Sequence, residues 1–87
     1  MKLKIFAVKD VRTEAFMRPF FVQNHAVLQR AILDAKNDEH NTISFHPEDY
    51  QVFELGEYDD GDGAIEAIPP KFLFNVCDVH DWTQEDK

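Results

Sequence analysis

Cysteine is almost missing from this chain: one residue of 87, Cys77. A lone thiol closes no intrachain disulfide, which fits a reducing compartment. Glycine is scarce too, three in all, and two of them share one acidic turn, Asp59 to Gly63. No glycine-rich phosphate loop follows a strand. There is no long apolar run. Met1 to Val8 starts as a signal sequence starts, but Lys9 and Asp10 end it, too early for a signal core or a membrane span. The expectation is a protein of the cytoplasm with no membrane contact. No serine or cysteine stands in a recognisable nucleophile setting, and His25, His40 and His46 are scattered. The expectation is no enzyme, no cofactor and no small-molecule substrate.

Basic charge is also short. Nine lysines and arginines face seventeen acids, for a net charge of −8. That disfavours indiscriminate binding to a polyanion. The distribution says more than the sum. Residues 1–36 hold Lys2, Lys4, Lys9, Arg12, Arg18, Arg30 and Lys36 against Asp10, Glu14 and Asp34. Residues 37–87 hold two basic groups against fourteen acidic ones. A nucleic acid, if one is bound, meets the basic half. The plain alternative is that the halves pack together and their charges pair or are solvated. Clustering of the basic groups on one face favours DNA; dispersal favours a protein partner.

Phenylalanine is plentiful, with eight residues. A chain this short buries only about 60 % of its unfolded surface, and aromatic rings give a thin core bulk. It makes one domain, residues 1–79, with 80–87 as a frayed tail. A thin core with aromatics to spare also predicts a homodimer, through a strand edge or an exposed aromatic patch.

The pattern predicts an α+β fold: a small antiparallel or mixed sheet with one main helix packed on a face. Lys2 to Lys9 reads as a strand, with Lys2, Lys4, Phe6 and Val8 on one side and Leu3, Ile5 and Ala7 on the other. Phe20-Phe21-Val22 reads as a short strand after Pro19. Asn24 is an N-cap, and residues 25–36 carry an apolar stripe of Val27, Leu28, Ala31, Ile32 and Ala35 at helical spacing. Thr42 to His46 reads as loop or a short extended piece, and Pro47 opens one helical turn. Gln51 to Tyr58 alternates as a hairpin strand; the helix is expected on the side of Phe53 and Leu55. Pro69-Pro70 reads as a break, and Phe72 to Val79 as a last strand, with a short helix as the rival reading.

Two clusters resemble metal sites by residue type. The acidic turn fails the calcium-loop spacing in either register: from Asp60 the fifth position is Ala64, and from Asp59 the third is Gly61. Glycines supplying positive φ in a hairpin turn explain it better. Cys77, Asp78, His80 and Asp81 offer only one cysteine and no coherent scaffold for zinc, since on a strand Cys77 and His80 point apart. No metal is expected. Aromatics interleaved with Lys9, Arg12 and Arg18 are what single-stranded DNA needs: rings for bases, cations for phosphates. The candidate contacts are Lys2, Lys4, Lys9, Arg12, Arg18, Arg30, Phe20 and Phe21.

Several segments fall in a familiar order: Ala15-Phe16, Pro19-Phe20-Phe21-Val22, the helix, His46-Pro47-Glu48-Asp49-Tyr50, and Phe53 to Asp60 followed by Gly63. They resemble the small nonstructural protein of gokushoviruses, Microviridae phages with circular single-stranded DNA, over about residues 3–68. The resemblance implies a DNA-binding accessory of viral single-stranded genome synthesis, working in the host cytoplasm and outside the virion. Its implied partners are DNA, single strands above all, or viral and host replication proteins. The alternative is an interaction module that regulates the replication initiator or a host factor without touching DNA. No residue role is carried over.

Overall fold

The computed structural model describes residues 1–79. The expected tail at 80–87, with Trp82 and two residues of the cysteine–histidine cluster, lies outside them. The fold is α+β, with an antiparallel five-stranded sheet and one main helix. Strand β1 (Lys2–Asp10) is its axis. On one edge it pairs with β4 (Tyr50–Asp59) along its whole length. On the other it pairs with β2 (Ala15–Phe16) and β3 (Phe20–Val22). Pro19, which has no N–H to donate, sits between those two short pieces. Strand β5 (Ile65–Asn75) joins β4 and forms the far edge.

Helix α1 (His25–Asn37) starts where its cap requires: the Val27 N–H donates to Asn24 Oδ1 at 3.0 Å. Its apolar stripe buries Leu28, Ile32 and Leu33. They meet Phe6, Val8, Val52, Val76 and Val79 in one core. The helix therefore lies on the sheet face carrying Val52, not on the face carrying Phe53 and Leu55. Register decides this: Val52 pairs with Val8, and Phe53 with Ala7. Both sides of β4 are apolar, so alternation alone could not choose between them.

Three other expectations change. Thr42–Phe45 is a short helix, α2, rather than loop, because Asn41 Oδ1 accepts the Ile43 N–H and Ile43 is buried. Pro47–Asp49 forms the expected turn, as a 3-10 helix. Pro69-Pro70 does not end a strand. Lys71 pairs with Glu54 and Ala67 with Gly56, so residues 68–70 bulge against Leu55 alone. At a bulge on an edge strand, a missing donor costs no ladder bond. Strand β5 stops at Asn75, and Val76–Asp78 is a 3-10 turn that drops Val76 into the core. Lys36 closes this end, its Nζ donating to the carbonyl oxygens of Val79 at 2.6 Å and Cys77 at 3.1 Å.

The acidic turn is a hairpin turn. Asp59 and Asp62 side chains accept the N–H groups of Gly61 and Ala64, both at 2.9 Å, and Gly63 has φ +77°. The α-amino group of Met1 sits 2.9 Å from Asp60. Hydrogen bonding and charge from Asp60 raise its pKa above the ordinary range.

Candidate functional site on the open sheet face

One face of the sheet is covered by α1; the other is covered by nothing among the described residues. Cross-strand partners share a face, so register identifies what it carries. Leu3, Ile5, Ala7 and Lys9 come from β1, Phe16 from β2 and Phe21 from β3. Gln51, Phe53, Gly56 and Tyr58 come from β4; Ile65, Ala67, Phe72 and Asn75 come from β5. Phe16, Phe21 and Phe72 are 42 %, 44 % and 48 % exposed. Ile5 and Ala7 are nonetheless buried, beneath these rings and outside the main core.

The rings form two groups. Phe53 stands edge-on between Phe16 and Phe72, with centroids 5.4 Å and 5.8 Å away. Phe21 meets Tyr58 edge-on at 5.5 Å. Phe21, Ile5, Gly56 and Ala67 form one cross-strand row over four strands. Gly56 has φ +151°, and a Cβ there would collide with the Glu66 carbonyl oxygen. A side chain at position 56 therefore cannot be accommodated without moving β5.

Charge is nearly missing from this face. Among the described residues Lys9 is its one cation, with Nζ 5.6 Å from the Phe16 ring centre and 5.8 Å from that of Phe53. A cation over a ring face is held by the ring quadrupole. The other candidate contacts are dispersed. Lys4 lies on the helix side of the sheet, 3.9 Å from both Glu54 and Glu57. Lys2 shares that strand face and is exposed. Arg12 leaves the β1–β2 turn to meet Asp49 at 3.7 Å. Arg30 pairs with Asp34 at 3.8 Å on the outer side of α1. Arg18 borders a groove of about 350 Å³ between α1 and β3, with Met17, Phe20 and Ala31. Phe20 turns inward, its ring centre 6.4 Å from that of Phe6. Of the eight candidates, the open face brings together two, Lys9 and Phe21.

Phe16, Phe53, Tyr58 and Phe72 complete the face. Their signal was the two-sided apolar pattern of β1, which requires a populated surface on both sides of its partner. His46, Glu48 and Asp49 also approach one another closely enough to share an ion. They are surface groups, and Asp49 already faces Arg12.

The architecture is that of a small open-faced α+β domain with an aromatic sheet surface. The chain belongs to the Phage ORF5 protein family, whose model matches residues 3–79. No curated protein and no solved structure shows significant similarity to it.

Proposed function

We propose that this phage accessory protein is a non-enzymatic binder of single-stranded DNA in viral genome synthesis, acting in the host cytoplasm outside the virion. Membership of a phage family supports the setting, and the resemblance to the gokushovirus nonstructural protein supports the role. One structural observation carries the mode: exposed rings on an open sheet, with a single lysine among them. Stacking on aromatic rings contributes roughly 1–3 kcal/mol per base and needs unpaired bases. Duplex binding instead needs many phosphate contacts, and here the other cations point elsewhere or face carboxylates. Strand binding through rings therefore suits this net charge better than duplex binding.

A second reading has its own support. Dispersal of the basic groups is what a protein partner, such as a replication initiator or host factor, leads one to expect.

Fluorescence anisotropy with labelled single-stranded and duplex oligonucleotides, at two salt concentrations, separates the two. The expected result is binding of the single strand only, lost in Phe53→Ala and weakened in Lys9→Gln. No binding to either DNA at low salt ends the DNA reading and leaves the protein partner.

A further inference from the structure

We infer that the open sheet face selects cytosine over thymine, because a hydrogen-bond relay from Asp78 fixes which atom Gln51 offers to a base. This rests on the strand-binding reading and gives it a base preference.

One end of the face is polar. Lys9, Gln51 and Asn75 pair across three strands as a single row. The neighbouring row is Ala7, Phe53 and Phe72. On β1 and β4 the two rows are two residues apart, about 7 Å. A base stacked over Phe53 or Phe16 therefore turns one edge to Lys9 and Gln51. The Lys9 Nζ already lies 5.8 Å from the Phe53 ring centre.

The amides of that row are oriented from outside it. Asn75 Nδ2 donates to Asp78 Oδ2 at 3.4 Å, and Gln51 Nε2 donates to Asn75 Oδ1 at 3.4 Å. A carboxylate accepts and does not donate. Asn75 must turn its nitrogen to Asp78, which leaves its oxygen for Gln51. Gln51 must then turn its own nitrogen to Asn75. At this length the bonds orient the amides and add little stability. Gln51 Oε1 accepts no hydrogen bond among the described residues. The row thus offers a base one acceptor, Gln51 Oε1, beside one donor, the Lys9 ammonium.

Cytosine and thymine are opposites against that pair. Cytosine carries the N4 amino donor where thymine carries the O4 acceptor. Beside it, cytosine has a bare ring N3, an acceptor, where thymine has an N–H. In one stacked pose, cytosine satisfies both Gln51 and Lys9, and thymine sets acceptor against acceptor and donor against donor. Ring stacking by itself is tolerant of sequence, so the amide supplies the selection.

Fluorescence anisotropy on the full chain tests this, with labelled dC and dT oligonucleotides of equal length. A third oligonucleotide, of 5-methylcytosine, has the methyl group of thymine and the hydrogen-bonding edge of cytosine. Wild type is expected to bind dC at least about fivefold more tightly than dT, and the methylated strand as tightly as dC. Gln51→Leu removes the acceptor and is expected to bring the dC to dT ratio near one. Asp78→Asn keeps Gln51 but can donate to Asn75, which frees both amides to turn, and is expected to lower the ratio in the same way. The ratio cancels any general change in DNA affinity, and circular dichroism checks that both variants are folded. Equal binding of dC and dT by the wild type overturns the base preference and leaves strand binding standing. A methylated strand that binds like dT, or a ratio unchanged in Asp78→Asn, overturns it too. Binding of no strand at low salt overturns the strand-binding reading and this preference together.

Discussion

At the scale of single residues, backbone geometry sets the sharpest constraints. Gly56 is buried inside a strand, and any side chain would strike the Glu66 carbonyl oxygen. Gly56→Ala is expected to lower unfolding free energy by about 2–3 kcal/mol in urea titrations, as strained backbone substitutions do. Gly63, with φ +77° but open space around it, is expected to lose only about 1 kcal/mol on mutation to alanine. The Met1 amine gives a pH test. Its pKa is raised by Asp60, so its stabilising contact is intact below the ordinary range of an α-amine. The contact fades as pH rises through the raised value. An NMR titration of the isotopically labelled amine is expected to show its midpoint moving down in Asp60→Asn. Some of this was legible in the sequence. Asn24 announced its cap, and the paired aspartates and glycines announced their turn. Gly56 was overlooked because its role depends on a carbonyl ten residues later. The available sign was a glycine interrupting a strand pattern.

At the scale of elements, the helix was legible and its seat on the sheet was not. Leu28 and Ile32 announced a buried stripe, but β4 offers apolar side chains on both sides. Only pairing with β1 puts Val52, not Phe53, beneath the helix. Ile32→Ala is expected to cost roughly 2–5 kcal/mol, the range for truncating a buried aliphatic side chain. Phe72→Ala, on the open face, is expected to cost much less in equilibrium unfolding, since half of that side chain is already solvated. The contrast between the two variants tests which face is core. Lys36→Met removes the bonds to Val79 and Cys77 carbonyls and is expected to lose about 1–2 kcal/mol, as charge-assisted hydrogen bonds do. Pro69-Pro70 misled as a break because a bulge against Leu55 cannot be read without the partner strand.

At the scale of the whole molecule, charge segregation along the chain did not become charge segregation in space. Strand β1 carries basic residues from the first half into register with acidic β4 from the second: Lys4 stands across from Glu57 and Lys2 from Asp59. Opposite charges from the two halves stand side by side there, and the open sheet face is left to the rings. If the strand-binding reading holds, one lysine sets the salt response. The log–log slope of affinity against salt is expected near one or below, since each neutralised phosphate on a single strand contributes about 0.7. Lys9→Gln should flatten it, while Arg12→Ala with Arg18→Ala should leave it unchanged. A slope several times steeper would show phosphate contacts that this geometry does not supply. The same β1–β4 pairing sets a schedule for birth on the ribosome. Some forty residues separate the end of β1 from the start of β4, which at about 5–20 residues per second is a delay of seconds. Through that interval the nascent Ile5-Phe6-Ala7-Val8 segment has only β2 and β3 beside it. The chain's most apolar strand is thus made seconds before the partner that protects it.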